Sequence, residues 1–142
     1  IAKDFKNVIG LKDAAGNIEQ TKKTIELAPK GFILWSGDDN MTLPLMALGG
    51  KGVISVASNI VPREIHELTQ HALKGNFEEA RKIHNRLLPL FKGIFIETNP
   101  IPIKAALAMK GMIKEIYRLP MCEMESENRE KLRMILKGLK IV

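Results

Sequence analysis

The stretch Val8-Ile9-Gly10-Leu11-Lys12-Asp13-Ala14-Ala15-Gly16-Asn17 decides the fold. An apolar run ends in a lysine, small residues and a glycine follow, and an asparagine precedes Ile18-Glu19-Gln20. That order reads as strand, tight turn and capped helix start. A strand is predicted over 7–12, with Asn17 capping a helix from Ile18 to about Ala28 that Pro29 and Gly31 close. The same theme then recurs downstream. Phe32-Ile33-Leu34-Trp35-Ser36 reads as a second strand, and Gly37-Asp38-Asp39 as the turn into a helix. Pro44 is tolerable in that helix only near its first turn, and Gly49-Gly50 ends it. Gly52-Val53-Ile54-Ser55-Val56 is predicted as a third strand, and Pro62 suits the first position of a helix that continues to Leu73.

These strands are apolar on both faces, as parallel strands are when helices cover one side and side chains fill the other. Their spacing is about 24 residues. A (β/α)₈ barrel of ~250 residues spends ~31 per unit, so three βα units are less than half of one. From Asn76 onward the period is purely helical. Asn76-Phe77-Glu78-Glu79 opens a long helix with a kink expected at Pro89. The Asn99-Pro100-Ile101-Pro102 turn starts another, from Ile103 to Lys110, and Ser126 is expected to cap a last one reaching about Leu139. The expected architecture is α/β: residues 1–75 are three βα units of a (β/α)₈ TIM barrel, and residues 76–142 a C-terminal helical domain.

Composition narrows the classes. The 142 residues are 45% hydrophobic, enough for one domain's core. No apolar run approaches the ~20 residues of a membrane span, and the first residues lack a signal peptide's apolar stretch, so a cytoplasmic location is expected. The chain opens on Ile1 rather than Met, in what reads as the tail of an element already under way, so a longer parent is expected. Cys122 is the only cysteine, which excludes an internal disulfide; with no basic neighbour to activate it, it is read as packing. The net charge of +6 is spread among carboxylates rather than gathered in blocks, and aromatics are few, which argues against nucleic-acid binding.

Four groups of residues invite chemistry. Lys12 ends an apolar strand, on the face of Val8 and Gly10, where Gly10 is expected to leave space below the amine. Functional residues of parallel βα sheets gather at such C-terminal strand ends. In a dry pocket the neutral amine is favoured and attacks a ketone to form a Schiff base; otherwise Lys12 reaches solvent or pairs with Asp13 or Asp38. Asp38 and Asp39 at the next strand end suit an acid and base pair or a hard metal, but such turns also take Gly and Asp for capping alone. His66, His71 and His84 are 5 and 13 residues apart, neither being the i, i+4 pair of a helical zinc site. Tyr117, the only tyrosine, is read as packing.

The decisive stretch resembles the Schiff-base lysine signature of the dihydrodipicolinate synthase family. Ser36-Gly37-Asp38-Asp39, the run from Gly49 to Asn59, and Glu97-Thr98-Asn99-Pro100-Ile101-Pro102-Ile103-Lys104 resemble further segments of that family in the same order. The resemblance spans this chain from end to end but only the C-terminal part of the family's enzymes. It implies that Lys12 condenses with pyruvate, that the imine becomes an enamine, and that this attacks L-aspartate 4-semialdehyde to give 4-hydroxy-tetrahydrodipicolinate, on the way to diaminopimelate and lysine. It implies that the residue at Ile54 touches pyruvate through its backbone, that Gly37 lines the same pocket, and that Asp38 lies on its rim. No cofactor or metal is implied, and the family's habit is a homotetramer, a dimer of dimers.

The family's proton-relay tyrosine, threonine pair and carboxylate-binding arginine fall in the earlier half, and neither Tyr117 nor Arg63 aligns with them. The 142 residues alone are therefore expected to be inactive. Two other readings stay open. One is another pyruvate-dependent aldolase, of the N-acetylneuraminate lyase or 2-keto-3-deoxygluconate aldolase type. The other is a non-catalytic half-barrel that docks partners through Ile18, Leu43 and Leu48.

Overall fold

The computed structural model describes residues 1–142, and their contacts group into two compact units: Ile1–Ser55 with His66–His84, and Val56–Ile65 with Asn85–Val142. In chain order the elements are β1 (Gly10–Asp13), α1 (Ile18–Leu27), β2 (Ile33–Ser36), a 3-10 turn (Asp39–Met41), α2 (Thr42–Ala47), a second 3-10 turn (Ala57–Asn59), α3 (Pro62–Leu73), α4 (Phe77–Gly93), α5 (Ile101–Met109) and α6 (Ser126–Gly138).

In the first unit β1 and β2 pair in parallel, with Gly10 opposite Ile33 and Lys12 opposite Trp35. A parallel pair needs a crossover, and α1 supplies it. Asn17 starts that helix as the sequence predicts: its side chain accepts the N–H groups of Glu19 and Gln20, both at 3.1 Å. Such a cap satisfies donors that the first turn leaves without partners.

The predicted third strand is reduced to one parallel bridge, between Ser36 and Val53. The Ser36 N–H reaches the Gly52 carbonyl at 2.9 Å, and the Ile54 N–H reaches the Ser36 carbonyl at 2.8 Å. The ladder is squeezed from both ends. Upstream, the Gly50 N–H is still committed to Leu45 on α2 at 3.0 Å. Downstream, β2 stops at Ser36, so the strand ladder goes no further.

The helix carrying Pro44 begins at Thr42, which leaves the proline in its first turn, where the missing N–H costs nothing. Leu45 and Met46 bury its inner face, and Gly49, at φ 107°, follows its end. Met46 forms a small core with Ala72 and Ala80, and Leu43 packs against it. Leu43 is thus part of the core, which corrects its reading as a docking residue. Ile18 and Leu48 are partly exposed. The strand is not covered on both faces either: Ile9 and Leu11 remain exposed.

In the second unit Leu87, Leu90, Phe91 and Ile94 of α4 and its end, Ala105 and Ala106 of α5, and Leu132 and Leu136 of α6 form the buried set. The i, i+3, i+4 spacing lays those of α4 and α6 along one face of each helix. α6 begins at Ser126, but the capping residue is Glu125, and no side chain of its own caps it. Glu97 does that task from a distance, accepting the Glu125 N–H at 3.1 Å and the Asn128 side-chain amide at 2.9 Å. α5 starts two residues earlier than predicted, at Ile101, because Pro102 fits the first turn of a helix. Cys122 is exposed, not packed, since it lies in the irregular stretch between α5 and α6. No helix is long and apolar enough to cross a membrane.

Candidate active site

Lys12 is the third residue of β1, next to the strand's C-terminal end, on the face opposite Asp13. Neither predicted carboxylate pairs with it. Asp13 is buried and turned toward α1: its Oδ2 accepts the Thr21 hydroxyl at 2.5 Å and its Oδ1 the Ala15 N–H at 3.0 Å. Asp38 caps the 3-10 turn by accepting the Asn40 N–H at 3.4 Å, while its carbonyl accepts the Ser36 hydroxyl at 2.7 Å.

Gly10 does not leave the space expected of it. A Cβ there would run into the Trp35 ring and the Ile33 carbonyl, so the indole already fills the volume two residues before Lys12. The room beside the lysine comes from Gly37 instead. A Cβ on Gly37 would stand 2.7 Å from Ala14 Cβ, 2.8 Å from Lys12 Cε and 3.0 Å from Lys12 Cγ. Real Cβ atoms do not tolerate such approaches, so a side chain at 37 and the present lysine conformation exclude each other.

Backbone hydrogen bonds tie the candidate residues together. The Gly37 N–H donates to the Asp13 carbonyl at 2.6 Å, and the Ile54 N–H to the Ser36 carbonyl at 2.8 Å. Behind them, the Ser55 hydroxyl is hydrogen-bonded to Asp39, which is fully buried. Lys12, Gly37 and Ile54 therefore lie on three adjacent, cross-bonded segments. Asp39 is a buried support of this arrangement, a part the sequence left undecided between chemistry and structure. The sequence offers Asp13 only as a partner for Lys12 and does not point to its contact with Thr21; the signal available was a carboxylate and a hydroxyl eight positions apart, on either side of a strand-to-helix turn.

The dry surroundings expected of Lys12 are not supplied by these 142 residues, because the side chain is exposed. Ile54 is half exposed as well. No three His, Cys, Asp or Glu side chains converge as metal ligands. Burial pushes the His84 imidazole, on α4, below its usual range. Tyr117 is half buried and tied to the irregular stretch before α6: its hydroxyl bonds Glu115 at 3.0 Å and lies 3.3 Å from the Ile101 carbonyl.

The fold and the site together define a parallel α/β unit that carries its reactive candidate, an amine, at a strand end. The model of the dihydrodipicolinate synthetase family matches residues 1–139. The 4-hydroxy-tetrahydrodipicolinate synthase of Hydrogenobaculum sp. (strain Y04AAS1) is 50% identical over 142 residues, covering 100% of this chain and 49% of the relative. The crystal structure of dihydrodipicolinate synthase from Aquifex aeolicus is 47% identical with a TM-score of 0.96, covering 99% of this chain and 48% of that one. The chloride-inhibited dihydrodipicolinate synthase from Acinetobacter baumannii, solved with pyruvate, is 36% identical with a TM-score of 0.92, covering 96% of this chain and 47% of that one. The chain belongs to the dihydrodipicolinate synthetase family, and it spans about half the length of the relatives it matches.

Proposed function

We propose that this chain carries the imine-forming lysine of a 4-hydroxy-tetrahydrodipicolinate synthase. Residues 1–75 are the last three βα units of a (β/α)₈ barrel in this reading, and residues 76–142 its helical appendage. The amine of Lys12 attacks the keto carbon of pyruvate, water leaves, and a protonated imine forms. Loss of a methyl proton sends its electron pair into the imine nitrogen, giving the enamine whose carbon attacks the aldehyde of L-aspartate 4-semialdehyde. The imine is itself the electron sink, so the reading calls for no cofactor or metal.

The observation that carries the proposal is the steric exclusivity between Gly37 and Lys12 at adjacent strand ends. A side chain as small as alanine at 37 is incompatible with the lysine's present path, as a pocket built around that amine requires. Ile54 has its N–H committed to Ser36, so its carbonyl is the backbone atom offered to the substrate. Asp38 sits on the rim, its carboxylate engaged in capping. The remaining length of the relatives is where the walls that dry the amine come from in this proposal, and the complete protein is a cytoplasmic homotetramer.

The test is reduction by borohydride of the complete polypeptide with pyruvate, followed by peptide mass analysis. The expected adduct is on Lys12 and is absent from Lys12→Ala. An adduct on another lysine, or unchanged turnover in Lys12→Ala, overturns the proposal. Coupling of pyruvate to L-aspartate 4-semialdehyde, against cleavage of sialic or sugar acids, assigns the second substrate.

A further inference from the structure

We infer that the buried Asp13–Thr21 pair is a positioning device for Lys12, an inference that rests on the function proposed above. Asp13 is the residue immediately after the lysine, and all of its polar atoms beyond the strand ladder are engaged. Its carboxylate accepts the Thr21 hydroxyl at 2.5 Å and the Ala15 N–H at 3.0 Å, and its carbonyl accepts the Gly37 N–H at 2.6 Å. Asp13 and Thr21 are 8% and 2% exposed, so water does not compete for these bonds.

The Thr21 hydroxyl has a single proton and two neighbouring acceptors, the Asp13 carboxylate at 2.5 Å and the Asn17 carbonyl at 3.1 Å. The shorter contact is to the charged group, which forms the stronger bond. α1 is thereby fastened to the end of β1 across the Ala14-Ala15-Gly16 turn, independently of the cap that Asn17 provides at the helix start. Lys12 is bracketed: the β2 ladder holds it on one side and Asp13 fixes the peptide plane on the other. Successive strand residues face opposite ways, so a rotation at Asp13 is transmitted to the direction in which the Lys12 side chain leaves the backbone. Reacting groups displaced by about 1 Å lose on the order of a hundredfold in rate, which gives such a fastening its leverage.

Neither residue reaches the face of the sheet that bears the amine, so the effect is on the rate of imine formation and not on the capture of pyruvate. Thr21→Val keeps the side-chain shape and removes the hydroxyl, while Thr21→Ser keeps the hydroxyl. In the complete polypeptide, Thr21→Val is expected to slow borohydride-trapped adduct formation on Lys12 by about tenfold at saturating pyruvate, the worth of one bond to a charged group, with KM for pyruvate within about twofold. Thr21→Ser is expected to restore most of the rate. Equal trapping rates in the unaltered chain and both variants, or a Thr21→Ser no faster than Thr21→Val, overturn the positioning role alone. Absence of any Lys12 adduct in the unaltered chain overturns the functional reading and the inference together.

Discussion

Gly37 and Lys12 share one volume: a Cβ on the glycine would stand 2.8 Å from the lysine's Cε. The lysine tip could swing aside, but Ala14 Cβ, at 2.7 Å from the same point, is fixed to backbone. Gly37→Ala is therefore expected to cost about 1–3 kcal/mol in urea unfolding, as overpacking does, and to cut Lys12 trapping by pyruvate at least tenfold. Wild-type trapping in a folded Gly37→Ala chain would show that the lysine path does not depend on this glycine.

Asn17 serves two N–H groups at the start of α1. Replacement by alanine should lower stability by about 1 kcal/mol, while Asn17→Asp, which caps equally well, should leave it nearly unchanged. Chemical denaturation midpoints compare the three chains.

The buried and exposed faces of α6 should separate cleanly. Leu132 is fully buried, whereas Met134, two residues on, is 67% exposed. Leu132→Ala is expected to cost about 2–5 kcal/mol and Met134→Ala less than about 0.5 kcal/mol. Similar losses at both would mean that α6 turns a different face inward.

Glu115 and Tyr117 give the chain a pH signature. The hydrogen bond from Arg129 holds the Glu115 carboxyl below its usual range, with the Tyr117 hydroxyl adding to the effect. A depressed carboxylate contributes stability above its unfolded value and loses it as pH falls through the folded one. Tyr117 is raised, first by burial and then by Glu115, so its contribution is present below the ordinary phenol range and lost as pH climbs beyond it. The stability gap between the wild type and Glu115→Gln is expected to be widest near neutrality and to shrink as the pH is lowered through about 4 and below. A gap constant from about pH 2 to 7 would remove this ion pair from the acid response.

Much of this was legible from local chemistry. Asn17 before an amphipathic run, Pro62 at a helix start and Pro44 in a first turn are decisions made within a few residues, and the chain follows them. The third strand was misjudged because strand extent depends on the partner, and β2 ends at Ser36. Ser126 was expected to cap α6, but Glu97 does so from 28 residues away, a relationship no local pattern encodes. At the candidate site, the position of Lys12 at a strand end was readable from its apolar run. The origin of the space beside it was not, because alternation along one strand says nothing about what the neighbouring strand projects; Trp35 took the place given to Gly10, and Gly37 provided the gap.

Trp35 is the sole tryptophan, and its indole lies where a side chain on Gly10 would have been. Tryptophan emission from these residues consequently originates at one spot, beneath the strand that bears Lys12. Slippage of β1 against β2, or the arrival of a covalent adduct nearby, becomes an optical event that needs no attached dye.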